Sequence, residues 1–284
     1  MANKLGRISG MLCLAIFCQG CISDYDLIGL IYSTDGANAR FEHSDEWNKA
    51  HPFKNLVVNG DEYQILVAAD SHVGGVSNLE VFLTESKKAE NSAFVLVGDI
   101  TSGKKKDYLT LKNELPGYTE VPNFLMVGNH DLYFDGWKTY FDYFGSSTYC
   151  YTIQTNAATD LFICLDSGNG TLGNKQLAWL ESVLAAGRSN YRNCIVFSHV
   201  NFFLNRHTTS ANPLVNELYV LMDLFQKYKV DFVISGHDHE RSFNEFGYTT
   251  YITLDALLDG LPNASFMKLY YRNGKLGYTF QEIP

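Results

Sequence analysis

The chain has 284 residues, of which 46% are hydrophobic, and its 31 acidic and 22 basic residues give a formal net charge of −9 at pH 7. This content is enough for one large core, and α/β folds of this length are often single domains. The net negative charge argues against general nucleic-acid binding, which needs a positively charged surface. Anionic small-molecule substrates stay open, because bound cations can dominate the field inside a site.

The first 21 residues have the order of an export signal. Lys4 and Arg7 precede an apolar stretch, ISGMLCLAIFC, that is too short to span a bilayer. The stretch ends at Gly20 and Cys21, and this resembles a bacterial lipoprotein signal in which the cysteine becomes the lipidated first residue. We therefore predict a signal segment over residues 1–21, a lipid anchor at Cys21, and an exported lipoprotein held at a membrane of a bacterial cell envelope. The alternative is an ordinary cleaved signal and a periplasmic or secreted protein.

Residues 22–60 are polar and mixed, and we expect an N-terminal extension there, as a surface segment or an edge hairpin. The main domain is predicted over residues 61–284, where strands and helices alternate. The pattern predicts strands at 63–69, 93–97, 123–127, 148–154, 161–166, 193–198, 231–235 and 249–255, and helices at 78–90, 106–115, 134–145, 173–187 and 212–228. Asn212 is the expected cap of the last helix, and Asn273-Gly274 marks a C-terminal hairpin. The alternation indicates a largely parallel sheet covered by helices, with an antiparallel portion at the C-terminal end.

Three cysteines follow the leader, namely Cys150, Cys164 and Cys194. An odd number, with two of them inside apolar runs, does not suggest a disulfide framework. We expect them to be small core residues.

Polar side chains appear directly after strand upon strand. They are Asp70, His72, Asp99, Asn129, His130, Asp131, His199, His237, Asp238 and His239. The carboxyl ends of the strands in an open α/β sheet form one rim where ligands bind, so these five short motifs should converge. Asp70 and His72 are two residues apart, as are His237 and His239, and such pairs point the same way in an extended segment.

Imidazoles and carboxylates without a thiolate suit borderline and hard divalent metals. Seven of these residues are metal-ligand candidates: Asp70, His72, Asp99, Asn129, His199, His237 and His239. That number is too large for one tetrahedral ion. It suits two ions, with a carboxylate such as Asp99 bridging them.

The motifs D-x-H, G-D, G-N-H-D, a lone H and G-H-x-H, in that order over residues 63–258, resemble those of the calcineurin-like metallophosphoesterase superfamily. The resemblance implies a four-layer α/β/β/α sandwich of two mixed β-sheets, with a binuclear metal site at the C-terminal ends of the strands. One ion would be held by Asp70, His72, Asp99 and His239, and the other by Asp99, Asn129, His199 and His237. His130 would act on the substrate, and Asp131 would orient His130.

The implied activity is hydrolysis of a phosphoester by a hydroxide bridging two divalent ions, with His130 protonating the leaving oxygen. The ligand set suits Mn, Fe, Zn or Ni. Ser102 stands where purple acid phosphatases carry a tyrosine, and protein Ser/Thr phosphatases carry G-N-H-E, so neither branch fits. G-N-H-D favours a phosphodiesterase. The alternatives are a phosphomonoesterase of the same fold and, from another class, a non-catalytic surface lipoprotein that binds a partner and keeps a structural metal site.

Two further groups of residues are candidates for contact with a small-molecule substrate. Arg206 and His207 lie in the loop after His199, and loops at a ligand rim tend to carry specificity. An aromatic cluster could stack a base or sugar, although core packing of its helix explains most of it; its members are Tyr133, Phe134, Trp137, Tyr140 and Phe141.

Overall fold

The computed structural model describes residues 35–52, 55–204 and 211–284. Cys21, Arg206 and His207 lie outside these residues, so their predicted roles stay predictions. Within the described residues, no helix combines the length and the apolar character that a membrane span requires.

Six α-helices and twelve strands make up the described chain, together with two short 3₁₀ helices. The helices are α1 (Ala37–Ala50), α2 (Ser77–Ser86), α3 (Lys105–Glu114), α4 (Gly136–Phe144), α5 (Gly173–Gly187) and α6 (Val215–Lys227), and the 3₁₀ helices are His130–Asp135 and Arg188–Asn190. The strands are β1 (Leu56–Val57), β2 (Tyr63–Ala68), β3 (Ala93–Val97), β4 (Asn123–Met126), β5 (Tyr149–Gln154), β6 (Thr159–Leu165), β7 (Cys194–Ser198), β8 (Phe232–Ser235), β9 (Ser242–Phe246), β10 (Thr249–Thr253), β11 (Ser265–Arg272) and β12 (Lys275–Glu282).

The strands form two mixed sheets. The larger has the order β1-β5-β6-β7-β8-β10-β9, and the smaller has the order β12-β11-β2-β3-β4. Parallel pairs β6/β7 and β7/β8 occupy the centre of the larger sheet, and parallel pairs β2/β3 and β3/β4 form one side of the smaller sheet. Antiparallel pairs β9/β10 and β11/β12 each lie at one edge of their sheet. The prediction of an α/β fold with mixed sheets is confirmed.

The two sheets pack face to face, and helices cover their outer faces. All six residues of β2 are buried, and they alternate between two cores: Ile65 and Val67 face the larger sheet, whereas Leu66 packs under the helices. Helices α2, α3 and α4 contribute to the core over the smaller sheet, and α5 and α6 to the core over the larger one. The layers therefore follow the order α/β/β/α, as the resemblance implied.

The segment predicted as an N-terminal extension contains helix α1, and the residues of this helix therefore do not form the edge hairpin that was one of the two alternatives. Arg40 on α1 is fully buried and forms a bidentate pair with Asp166, donating from Nε at 2.7 Å and from Nη2 at 2.9 Å. Removing one partner of such a pair would leave an uncompensated buried charge. The pair thus holds α1 on the domain, beside the loop that follows β6.

Local details agree with the sequence in some places and depart from it in others. Asn273 and Gly274 both have positive φ, at 52° and 75°, as a two-residue hairpin turn requires. Cys164 and Cys194 are buried and unpaired, as expected of core residues. The predicted cap of α6 is wrong, because Leu214, and not Asn212, occupies the N-cap position.

Candidate metal centre

The fold gathers the predicted polar residues at one rim. They lie directly after β2, β3, β4, β7 and β8, whose carboxyl ends meet between the two sheets. Two separate groups of ligand atoms each lie within 4.8 Å of one another, namely Asp70 with His72 and His239, and Asp99 with His199 and His237. We call them the first and the second donor group. All seven predicted ligands thus come together, because Asn129 adjoins the second group.

The first donor group has the features of an ion site. Asp70 Oδ1 is buried and takes no hydrogen bond, and it lies 3.2 Å from His239 Nε2 and 3.8 Å from His72 Nε2. The two imidazole nitrogens are themselves 3.2 Å apart. A buried carboxylate oxygen and two imidazole nitrogens that converge in this way fit a divalent cation placed among them.

The second donor group is more deeply buried. His199 Nε2 lies 3.2 Å from Asp99 Oδ2 and 3.3 Å from Asn129 Oδ1, and His237 Nδ1 lies 2.9 Å from the same amide oxygen. The other ring nitrogen of His199 lies 2.9 Å from the Val97 carbonyl, which can only accept, so this nitrogen carries a proton. A backbone partner of this kind leaves Nε2 as the ligand atom of a metal-binding histidine.

Asp99 lies between the two groups. Its Oδ2 is 3.2 Å from His199 Nε2 on one side and 3.8 Å from His72 Nε2 on the other. Its second oxygen accepts a hydrogen bond of 2.7 Å from the His130 backbone N–H, which fixes the carboxylate plane. One oxygen is therefore placed where it can serve both groups.

The backbone around the ligands is strained rather than extended. Five of them have a left-handed φ, namely Asp70 (55°), His72 (41°), Asp99 (48°), His237 (75°) and His239 (58°). Residues other than glycine rarely adopt this conformation, and such strain clusters at functional sites. The pairs two residues apart do converge, but the extended geometry from which this was predicted is wrong.

Two glycines before the ligands are required for close approach. A Cβ on Gly128 would lie 2.2 Å from Asp99 Oδ1, and one on Gly236 would lie 2.3 Å from Asp70 Oδ2. Each glycine thus makes room for a ligand that comes from another strand. Gly128 has no left-handed φ, so its role is this space and not an unusual turn.

The electrostatics of both donor groups favour a cation. Burial lowers the pKa of His72 and that of His237 to about 4, so both imidazoles are uncharged at pH 7 and keep a lone pair. Burial also disfavours a charged His199, but the Asp99 and Asp70 carboxylates and the Val97 carbonyl together outweigh it and raise the pKa of His199 to about 10. A metal ion bound here would take the place of that proton.

Comparison with known protein families decides the identity of the fold. The profile of the calcineurin-like phosphoesterases matches residues 63–241, which is more than half of the chain. The chain belongs to the calcineurin-like phosphoesterase family. No curated protein sequence matches the chain.

Solved structures share the phosphoesterase fold at low sequence identity. A dimetal phosphatase from Danio rerio superposes with a TM-score of 0.62 at 14% identity, over 78% of this chain and 96% of that chain. GAP50, the anchor in the inner membrane complex of Plasmodium, has a TM-score of 0.61 at 14% identity, over 78% of this chain and 84% of that chain. Identities this low establish the fold alone.

In this calcineurin-like phosphoesterase, Asp131 holds two metal-site loops together, and does not bond to the His130 ring as the resemblance implied. Oδ2 accepts from the N–H groups of Gly128 at 2.8 Å and Ile100 at 3.1 Å. Oδ1 accepts from the N–H and the hydroxyl of Thr101, at 2.8 and 2.9 Å. Burial, and then the Asp99 charge, raise the pKa of Asp131 to about 7 despite these bonds. Asp131 is a loop anchor.

Two polar contacts at the phosphoesterase site were not predicted. Asn201 is fully buried, and its Nδ2 donates a hydrogen bond of 2.8 Å to Asp238 Oδ2. This bond joins the loops after β7 and β8. Tyr133, assigned above to stacking or core packing, places its hydroxyl 3.4 Å from Asn129 Nδ2. The sequence alone does not predict this contact, because it depends on the break in the 3₁₀ helix at Tyr133.

Replacing Asp131 by Asn tests the loop-anchor role. In either amide orientation the NH₂ group would face N–H donors, so we expect a loss of about 1–3 kcal/mol in the free energy of unfolding, measured by urea denaturation. Asp259→Asn is the control. Asp259 is a partly exposed carboxylate that also accepts two backbone N–H groups, and its replacement should cost less, about 1 kcal/mol or less, because water can reach the mismatched amide. An Asp131→Asn protein with wild-type stability but a reduced rate would instead support the role of orienting His130.

Proposed function

We propose that this calcineurin-like phosphoesterase hydrolyses a small phosphoester with two divalent ions bound at one rim. The first donor group would hold one ion, and the second donor group together with Asn129 would hold the other. Asp99 would bind both ions. The observation that carries the proposal is the position of Asp99 Oδ2, which lies within 4 Å of imidazole nitrogens from both groups. Mn, Fe, Zn and Ni all suit this set of nitrogen and oxygen ligands.

When bound, two such ions would neutralise charge on the phosphoryl oxygens and supply a water with a pKa lowered toward neutrality. The residues of the chain provide the placement. His239 lies on the open side of the rim, where its side chain is 27% exposed, and it faces the buried, unbonded oxygen of Asp70. His199 and His237 are buried beneath them. A substrate therefore approaches from the side of the first donor group.

His130 is placed to act on the substrate. Its side chain is 35% exposed, which is the largest exposure among the clustered histidines. Its ring packs edge-on against that of His72, with 4.6 Å between the two ring centroids. His130 Nε2 lies 4.0 Å from Asp99 Oδ2, farther than the 3.2 Å of His199. His130 also falls in a potential ligand group with His72 and Asp99. We assign it to the leaving oxygen, because it is the most exposed of the clustered histidines and can donate a proton on the solvent side.

The proposed substrate class is a phosphodiester, with a phosphomonoester as the alternative. The support for a diester is the G-N-H-D motif over Gly128–Asp131. A panel of aryl phosphates, linear diesters and cyclic nucleotides, assayed with added Mn²⁺ and after chelation, tests the activity and the class together. We expect hydrolysis that stops on chelation and is fastest on a diester. Full activity in metal-free protein would contradict the proposal, and faster turnover of monoesters would select the alternative.

We also propose that Arg206 and His207 contact the substrate and that Cys21 anchors the chain to a membrane of a bacterial envelope. Both proposals are supported by the sequence alone. Cys21→Ser should release the protein from the membrane fraction of its host, as followed by immunoblotting. A wild-type protein that is already found in the soluble fraction would contradict the anchor.

His130→Asn should separate the proton donor from the ligands. We expect metal content near that of wild type and a rate reduced by roughly 10²–10⁴-fold, the usual worth of general acid catalysis. The loss should shrink for nitrophenyl esters, because that leaving group hardly needs a proton. The matched variants His199→Asn and His237→Asn should lose metal and activity together, whatever the leaving group. An empty site in His130→Asn, measured by elemental analysis, would show that His130 is a ligand.

A further inference from the structure

Tyr133 contacts Asn129, one of the candidate metal ligands, although Tyr133 lies outside the family motifs. Its side chain is 1% exposed, and its hydroxyl oxygen accepts a hydrogen bond of 3.4 Å from Asn129 Nδ2. The other end of the same amide, Oδ1, faces His199 Nε2 and His237 Nδ1 in the second donor group. Tyr133 and the second ion position thus lie at opposite ends of one carboxamide.

The orientation of this carboxamide decides whether Asn129 can act as a ligand. Only the oxygen can bind a divalent ion, whereas the NH₂ group is a pair of donors. With the oxygen turned toward the ion position, the buried NH₂ group needs an acceptor on its far side, and an unsatisfied buried donor is costly. Among the described residues, the Tyr133 hydroxyl is the one acceptor that the structure gives to Asn129 Nδ2.

The backbone is bent to bring Tyr133 to this place. The 3₁₀ helix breaks at Tyr133, whose ψ is 152°, and the next two residues, Phe134 and Asp135, have left-handed φ values of 56° and 58°. The bend turns Tyr133 inward and leaves Phe134 43% exposed. Two consecutive left-handed residues without a glycine are unfavourable, and such strain persists where the surrounding structure imposes it.

A neighbouring glycine accommodates the bend, and the Tyr133 ring reaches a second functional residue. A Cβ on Gly103, which has a φ of +79°, would lie 2.5 Å from the Tyr133 carbonyl oxygen. The Tyr133 ring lies 4.7 Å from the ring of His130. One side chain therefore supports both the amide ligand and the proposed proton donor.

We propose that Tyr133 is a positioning residue for the second ion: its hydroxyl holds the Asn129 amide with the oxygen toward the His199 and His237 side. The proposal rests on the two-ion function proposed above. Partners of this kind, which bond to a ligand and not to the ion, commonly change metal affinity by about 10- to 100-fold when removed.

Tyr133→Phe removes the hydroxyl and keeps the ring beside His130. Metal-free wild-type and variant proteins would be titrated with Mn²⁺ by calorimetry. We expect the first ion to bind as in wild type and the second to bind about 10- to 100-fold more weakly. Tyr140→Phe is the matched control, because Tyr140 is also buried and its hydroxyl donates a hydrogen bond of 2.8 Å to the Leu125 carbonyl, away from the ligands. It should bind both ions with wild-type affinity.

A second variant keeps the test decisive if Tyr133→Phe disturbs the fold. Asn129→Asp has no NH₂ group that needs an acceptor, and either carboxylate oxygen can bind the ion, so adding Tyr133→Phe to it should weaken the second affinity less than it does in the wild-type background. An equal loss in both backgrounds, or a Tyr133→Phe protein that binds two ions as tightly as wild type, would overturn the positioning role. A wild-type protein that binds fewer than two ions would instead refute the two-ion function.

Discussion

The candidate metal centre depends on the Asp99 carboxylate, which is almost fully buried and has one oxygen within 4 Å of imidazole nitrogens from both donor groups. A charge taken out of water in this way is costly unless opposite charge lies beside it. In the metal-free state the proton on His199 supplies part of that charge, and its pKa is raised accordingly. Two divalent cations at the same place would supply more, which is why we infer that the site is built for them.

The fold places these groups by bringing the ends of strands from both sheets to one rim. Smaller-sheet strands deliver Asp70, Asp99 and Asn129, and larger-sheet strands deliver His199 and His237. Ligands from other strands come close to the backbone of Gly128 and Gly236. Glycines in the G-N and G-H motifs provide the space for this approach, and left-handed ligand residues absorb the remaining strain.

Buried hydrogen bonds then lock the loops to each other. Asp131 holds the loop after β3 to the loop after β4, and Asn201 links the loops after β7 and β8. Arg40 and Asp166 fix helix α1 beside the loop after β6. These contacts explain how a strained set of ligands can stay in place, since the loops after β3, β4, β7 and β8 are each held at a point close to a ligand.

Local sequence patterns predict the strands, the helices and the convergence of the motifs, because apolar periodicity and the rule for strand ends depend on no distant contact. They do not predict which residues are the partners of buried polar groups. Arg40 and Asp166 are 126 residues apart, so no local pattern predicts that helix α1 packs against the loop after β6. The partners of Asp131 lie up to 31 residues away, which left its role to be inferred from the family. The contact of the Tyr133 hydroxyl with Asn129 depends on the bend after Leu132, which the sequence does not predict.

The central claim is that one carboxylate serves two ions, and metal counting in wild-type and Asp99→Asn proteins tests it most directly. Both would be loaded with Mn²⁺, dialysed, and measured by inductively coupled plasma mass spectrometry, with the Asp259→Asn protein as a control. The account predicts two ions per chain in wild type and in the control, and fewer than two in Asp99→Asn. Two tightly held ions in Asp99→Asn, or a single ion in the wild-type protein, would contradict it.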